Sequence, residues 1–331
     1  MAENEVVEKK EWTTALSEWS KTVTNLVSRD FESVGVQFDD YSKKCAMNAV
    51  SAIYQLVKNS GTEMAKIDTS NLRDIVTRCA SLKLNANSMP REVYFQLRNK
   101  KIGDSWAKEV EMGIEGDGND ALMRNWGTGV DSVYPVWIVK EGDYFQYPHR
   151  KGLEMAPPEW EEKGLSQKCV RIVYPVKMKD GTVQYLIAER EGVRVNLIAH
   201  VRNNLMNETF GLVKGGRKTR YDATDAEKEK INEKKEEIIS ALRDCETVDD
   251  MLKCEIARPY ISAAWLDSSE SMIIRKMRNN ATRQITKDFN SMAAQSWIAS
   301  DEVYKSSQEE IEARANQTEY VVESDVIEDC T

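Results

Sequence analysis

Cationic and hydrogen-bonding side chains are concentrated near the end of the chain, in a stretch whose apolar spacing predicts a helix over 268–298 with a break near Asn290. Arginine and lysine supply positive charge for phosphate groups, and amide and hydroxyl groups supply further hydrogen-bond donors. The candidate contacts in this stretch are Arg275, Lys276, Arg278, Asn279, Thr282, Arg283 and Lys287. Spacings of three and four residues place them on neighbouring helix faces. The stretch predicts a groove for a sugar-phosphate backbone, and the alternative is an exposed helix that packs its apolar side.

A second group of cations lies in a predicted β-hairpin, whose strands are 91–98 and 106–112. Its basic and aromatic candidates are Arg91, Arg98, Lys100, Lys101, Tyr94 and Phe95. Basic residues mixed with aromatic ones suit phosphate neutralisation combined with base stacking. Because side chains alternate between the two faces of a strand, Tyr94 and Phe95 point to opposite sides, and at least one belongs to the core.

Three glycines, Gly113, Gly116 and Gly118, precede a predicted short helix that begins near Asp117. Glycines permit close backbone approach, and the free N–H groups of a helix N-terminus suit a phosphate. Arg124, farther along the same helix, is a further candidate contact. The lysine and spacing of a nucleotide-binding loop are missing, so no nucleotide cofactor is expected. The structural alternative is that Asp117 or Asn119 only caps the helix.

Carboxylates surround the same turn, and clustered carboxylates are what a two-metal nuclease requires. They are Glu109, Glu111, Glu115, Asp117 and Asp120. The lysine that follows such carboxylates in nucleases is missing, and Glu109 and Glu111 share a strand face with nothing matched opposite. The chain has only two histidines and six cysteines without close pairing, which disfavours a zinc site. We expect no catalytic residue, metal or cofactor, and a metal-dependent nuclease is the alternative.

The net charge of −9 argues against nucleic acid until its distribution is considered. Residues 43–101 contain eleven Lys and Arg against four Asp and Glu, whereas residues 300–331 contain two against ten. Phosphate binding depends on the local field rather than on the total charge. No segment is apolar for long enough to cross a membrane, and the N-terminus is polar. We therefore expect a cytoplasmic protein with a basic body and an acidic tail.

Apolar periodicity predicts an α+β fold, in which a small antiparallel sheet with hairpins is flanked by helices. Further helices are predicted at 9–33, 41–59, from Asp68 or Thr69 to about Leu84, 191–206, 224–243 and 247–257. Further strands are predicted at 133–139, 170–176 and 182–188. Residues 148–164 are predicted to form a loop. The helix at 224–243 has few apolar residues and is expected to be weakly anchored.

The order of these elements resembles that of the phage RecT and Red-beta single-strand annealing proteins. The segments that carry the resemblance are IDTSNLRDIVTRCASLKL, REVYFQLR, GIEGDGNDALMRNWG, VYPVWIVKEGD, EGVRVNLIAHVRNNL with His200, and MRNNATRQITKDF. The resemblance is one of pattern and order, and it covers most of residues 41–290. Where the family has an aromatic residue and a lysine, this chain has Ile114 and Glu115, which removes an expected phosphate contact. Residues 211–258 resemble an insertion.

The resemblance implies an ATP-independent protein that binds single-stranded DNA and anneals complementary strands in phage homologous recombination. It implies an annealing core at 41–300, preceded by a helical assembly segment at 1–40 and followed by an acidic, mobile tail at 301–331. Family members form rings or helical filaments on DNA and on the annealed duplex intermediate. Trp12 and Trp19 are the candidate oligomerisation residues, and their alternative role is packing within the subunit. An exonuclease and the host single-strand-binding protein are implied partners.

The acidic tail has three possible roles at this stage. It competes with DNA for the basic groove, binds a partner, or keeps the protein soluble. A phage structural or scaffold protein is a further alternative to the annealing function.

Overall fold

The computed structural model describes residues 2–63, 66–102, 105–152, 154–164, 166–214 and 223–300. Within these ranges the backbone alone is described for residues 2–16, 18, 69, 100–102 and 105–106. The side chains of Trp12, Lys100 and Lys101, and the whole acidic tail, therefore lie outside the described residues.

The described residues form an α+β fold with small antiparallel sheets, which confirms the predicted fold class at this level. The helices are α1 (Ala2–Ser33), α2 (Asp40–Asn59), α3 (Thr69–Ser81), α4 (Gly116–Trp126), α5 (Arg194–Leu205), α6 (Asp225–Asp244), α7 (Val248–Lys253), α8 (Ala263–Asp267), α9 (Ser269–Thr282) and α10 (Ser291–Ser300). The strands are β1 (Val93–Ile102), β2 (Ser105–Ile114), β3 (Val130–Val133), β4 (Trp137–Lys140), β5 (Tyr144–Gln146), β6 (His149–Lys151), β7 (Glu154–Ala156), β8 (Glu159–Glu161), β9 (Cys169–Met178) and β10 (Val183–Glu189). None of the described helices combines the length and apolar character needed to cross a membrane.

The first core lies between the N-terminal helices and the β1–β2 hairpin. Side-chain caps fix where two of the helices begin: Asp39 accepts from the Ser42 N–H, and Asp68 accepts from the N–H groups of Ser70 and Asn71. Buried residues of α1, α2, α3, β1, β2 and α10 form one apolar cluster. Trp19 packs against this cluster, with its ring 6.3 Å from that of Tyr54. Its role in assembly stays a prediction.

The second core lies between a four-stranded sheet and the later helices. Strands β3, β4 and β10 all pair with β9, and the hairpin turn between β9 and β10 is confirmed. Alternate residues of β9, including Ile172 and Tyr174, enter this core together with Met277 of α9. The predicted strand at 133–139 is two strands, because Pro135 lacks the N–H that a continuous ladder needs.

Two other expectations were wrong, and a third was confirmed. Residues 148–164 contain β6, β7 and β8, whose three residues each are too few to show a period. Helix α6 is anchored, because Ile238, Ile239 and Leu242 enter the second core. The helix predicted over 268–298 is divided into α9 and α10 by residues 283–290, which confirms the break expected near Asn290.

Helix α4 joins the two cores. Ala121 and Leu122 are buried in the first, and the adjacent Met123 is buried in the second. Among the residues predicted to bind DNA, Arg124 lies on this helix, and Arg275, Lys276, Arg278, Asn279 and Thr282 lie on α9, which packs against it.

Candidate nucleic-acid interface

The N-terminal half of α4 is held against α9 by a partly buried network centred on Arg278. The Arg278 guanidinium donates to Tyr174 Oη at 2.7 Å, to Asp120 Oδ2 at 2.8 Å and to Asp117 Oδ1 at 3.2 Å. Tyr174 in turn donates its hydroxyl to Asp120 Oδ1 at 2.7 Å. Burial raises the pKa of Asp120, although the charge of Arg278 and the Tyr174 hydrogen bond oppose this rise. The prediction that Arg278 contacts phosphate is therefore corrected: its donors already hold α4, α9 and β9 together.

Three other candidates of α9 also face the protein. Lys276 is 8% exposed and Thr282 is 1% exposed, and Thr282 donates its hydroxyl to the Asn279 carbonyl at 3.0 Å. The side-chain oxygen of Asn279 accepts from Asn119 at 2.6 Å. These side chains pack α9 against its neighbours, so they do not line a surface groove.

The predicted i, i+4 pair of Arg283 and Lys287 does not exist, because α9 ends at Thr282. Lys287 donates to the carbonyl oxygens of Thr282 at 2.7 Å and Ile285 at 3.2 Å, and so satisfies the C-terminal end of the helix. Burial, with the nearby charge of Arg283, lowers the pKa of Lys287 to about 8. Arg283 is exposed.

The β1–β2 hairpin divides its candidates between two faces, as alternation predicts. Phe95 packs against the first core, and Tyr94 lies on the opposite face. The Arg275 guanidinium carbon lies 5.1 Å from the centre of the Tyr94 ring, and Arg275 also donates to the Ile114 carbonyl at 3.0 Å. Arg98 is exposed and pairs with Glu111. Tyr94 and Arg275 therefore support each other, and neither is a fully free contact.

Glu115, which stands where the resembled family has a lysine, has a partner within the protein. Its carboxylate lies 3.5 Å from Arg275 Nε. The negative charge at this position therefore balances a half-buried arginine on α9.

The three glycines before and within α4 do permit close approach, but the groups that approach belong to the protein. A Cβ atom at each position would collide with the Tyr94 ring at Gly113, the Arg278 guanidinium at Gly116 and the Glu92 carbonyl at Gly118. The same Glu92 carbonyl accepts the Glu115 N–H at 2.9 Å. The glycine-rich turn thus fits α4 closely onto β1 and α9.

Free cations lie on α4, on α2 and just before β1. Arg91 and Arg124 are exposed and form no ion pair or hydrogen bond with any residue that the structure describes. Lys44 on α2 is equally free within the described ranges, and Tyr41, one turn before it, is 39% exposed. Burial raises the pKa of Tyr41. The nearby Cys45 and Glu92 raise it further, and the charge of Arg124 opposes the rise. Arg124 is thus an electrostatic neighbour of the Tyr41 hydroxyl.

We call this region the α4 surface and define it by Tyr41, Lys44, Lys83, Arg91 and Arg124, because the charge of Arg124 acts both on Tyr41 and on Glu92, the residue that follows Arg91. Lys83 lies 5.7 Å from the centre of the Trp126 ring and pairs with Asp39 at 2.6 Å. Sequence reasoning found Arg91 and Arg124 but missed the other three residues. The only available signal was the i, i+3 spacing of Tyr41 and Lys44, which puts both on one side of α2.

The carboxylates of the predicted nuclease alternative hold protein cations. Asp117 and Asp120 bind Arg278, Glu115 pairs with Arg275, and Glu111 pairs with Arg98. In the part of the chain that the structure describes, no three Asp, Glu, His or Cys residues are grouped so that they could hold a metal ion. These carboxylates balance neighbouring arginines.

Comparison with known proteins assigns no family to this chain. No family model, no curated protein and no solved structure matches it. A function must therefore be inferred from the α4 surface and from the pattern of the sequence.

Proposed function

We propose that this protein binds single-stranded DNA on the α4 surface and anneals complementary strands without ATP, acting as an oligomer in phage homologous recombination. The observation that carries the proposal is the contrast between two sets of cations. Arg278 and Arg275 are paired inside the protein, whereas Lys44, Arg91 and Arg124 have no such partners among the described residues. Free surface cations are the groups available to neutralise phosphates.

The composition of this surface suits annealing better than sequence readout. Its free donors are charged groups, which suit phosphates and leave the pairing edges of the bases available to a complementary strand. One exposed ring, Tyr41, can stack on a base of any kind, because every base has a π-face. Binding of this type tolerates any sequence, as an annealing protein requires.

The small number of free cations explains why the protein would act as an oligomer. With three phosphate contacts, the logarithm of the affinity for a single strand falls with the logarithm of the salt concentration with a slope of only about 2. Neighbouring protomers on one strand add such weak contacts through effective concentration. Trp12 and Trp19 remain the proposed assembly residues, and assembly into rings or filaments is part of the proposal.

The remaining parts of the proposal depend on the resemblance alone. A cytoplasmic location in the bacterial host, an exonuclease and the host single-strand-binding protein would fit a recombination role. Pull-down of either partner with the full chain would test them.

The proposal is tested by replacing both free arginines, Arg91→Ala with Arg124→Ala. We expect the affinity for a labelled single strand to fall roughly tenfold. The slope of log affinity against log salt concentration should become less steep by about 1.4. Annealing of complementary oligonucleotides should slow in parallel. Fluorescence anisotropy at several salt concentrations and a strand-annealing assay measure these effects.

Arg150→Ala with Lys151→Ala is the matched control, because it removes two exposed cations of β6 that are also unpaired among the described residues. Binding by this control should equal that of the parent. If the Arg91 and Arg124 variant binds like the parent, the α4 surface is not the DNA site. If the parent accelerates no annealing, or assembles independently of DNA and salt, the proposed function is wrong.

A further inference from the structure

An open cleft of about 640 Å³ lies at the N-terminal end of α9, where it meets α7 and α8. Its lining includes the cations Lys168, Lys253 and Arg258 and the apolar residues Leu252, Trp265 and Leu266. The α4 surface does not share any of these residues. The cleft is therefore a separate feature.

The cleft has an excess of available positive charge. Its two carboxylates are already used: Asp249 pairs with Arg190 at 2.7 Å and with Lys168 at 2.9 Å, and Asp250 caps α7 through Thr247. Lys253 and Arg258 are exposed and have no ion-pair or hydrogen-bond partner within the described ranges. A ligand that fits this arrangement carries negative charge.

The floor of the cleft is apolar. Leu252 and Leu266 are partly exposed there, and beneath them Trp265, at 1% exposure, is buried in the second core. A bare phosphate would leave this floor uncovered. A peptide that alternates acidic and apolar side chains matches both the floor and the cations.

We infer that the cleft binds residues 319–329 of this chain, EYVVESDVIED. This segment contains five acidic residues and five apolar or aromatic ones. Residues 301–318, eighteen in number, separate it from the end of α10. Eighteen extended residues span up to about 60 Å, which exceeds the diameter of about 50 Å expected for a compact 300-residue domain with a radius of gyration of about 19 Å. The segment can therefore reach the cleft of its own molecule.

The inference does not depend on the proposed DNA-binding function, since neither DNA nor annealing enters it. It assigns the acidic tail a site away from the α4 surface. The tail would then leave the α4 surface open, which differs from direct competition with DNA.

A zero-length carbodiimide cross-linker tests this contact in the full chain, because it joins a lysine amine to a carboxylate with loss of water. We expect the carboxylates of 319–329 to cross-link mainly to Lys253 and Lys168, as identified by mass spectrometry of peptides. In Arg258→Glu, the tail cross-link to Lys253 should fall several-fold, because the reversed charge repels the segment. Arg150→Glu is the matched control and should leave that cross-link unchanged.

Other distributions would overturn the inference. Cross-links spread evenly over the exposed lysines indicate a tail without a docking site, and cross-links concentrated at Lys44 and Lys83 place it on the α4 surface. Equal Lys253 cross-linking in Arg258→Glu and in the control also contradicts it. Circular dichroism of both variants verifies that each is folded.

Discussion

Two arginines, the buried Arg190 and the largely buried Arg278, hold the opposite ends of α9, and their surroundings differ. Arg190 binds Glu270 in the first turn of α9, together with Asp249 of α7 and the Cys169 carbonyl. Arg278, in the last turns, binds Asp117 and Asp120 of α4. The two carboxylates that bind Arg190 also have other partners. Asp249 pairs with Lys168, and Glu270 accepts a hydrogen bond from the Cys169 N–H. The two carboxylates that bind Arg278 have fewer other partners: in that network the further donor is the Tyr174 hydroxyl, which binds Asp120.

The comparison teaches that a buried arginine and a free arginine have the same appearance in the sequence but different roles. Arg278 is one of the cations of the predicted sugar-phosphate groove, yet its role is structural. The free cations lie nearby, at the α4 surface beside the Arg278 network and at the cleft beside the Arg190 network. Stability measurements can separate the buried cations from the free ones.

The largest effect is expected from Arg278→Met. It leaves Asp117 and the 17% exposed Asp120 without their cation, so the free energy of unfolding should fall by about 3–5 kcal/mol. Urea denaturation measures this loss. Arg124→Met, on the surface, is the control and should change stability by less than about 0.5 kcal/mol. A similar small change in Arg278→Met would mean that the network does not hold α4 to α9.

A smaller loss, of about 2–3 kcal/mol, is expected from Arg190→Met. Lys168 continues to neutralise Asp249, and the Cys169 N–H continues to bind Glu270. The same urea titration compares the two variants directly. The comparison fails if Arg190→Met is as destabilising as Arg278→Met.

The two networks should also respond to pH with opposite sign. Burial raises the pKa of Asp249, but its hydrogen bonds with Arg190 and Lys168 outweigh this and lower it overall, so its ionised form stabilises the fold. Asp120 has a raised pKa, for which burial is the main cause, so its ionisation opposes folding. The loss in Asp249→Asn should therefore grow between about pH 3 and pH 6, whereas the loss in Asp120→Asn should shrink. Parallel pH profiles of unfolding free energy would refute this assignment.

The smallest effects on stability are expected at the free cations. Arg91→Ala with Arg124→Ala, and Lys253→Ala with Arg258→Ala, should each change the free energy of unfolding by less than about 0.5 kcal/mol. Only the first pair should weaken binding to single-stranded DNA. A loss of stability above about 1 kcal/mol in either pair would show that these cations have structural partners.

Local signals in the sequence were sufficient for much of the fold. The cap of α3 by Asp68, the β1–β2 pairing and the β9–β10 turn depend on residues close to one another in sequence, and all were predicted. The coarse α+β class follows from the same periodicities. The RecT-like core is still a prediction.

The roles of the site residues could not be predicted in the same way. Arg278 is separated by 104 residues from Tyr174 and by 158 from Asp120, so no local pattern identifies these partners. Periodicity placed Arg278 and Thr282 on a helix but could not show which side of α9 meets α4. Lys44 and Tyr41 were missed because an isolated exposed pair resembles any solvated helix face.

The close contact between Gly118 and the Glu92 carbonyl has a consequence for mutational scanning. In a library selected for abundance alone, with no selection for recombination, larger residues at position 118 should be depleted, because the carbonyl belongs to the backbone and cannot rotate away. A glycine requirement in such a selection comes from folding. Intolerance at this position should therefore not be taken as the signature of a ligand contact.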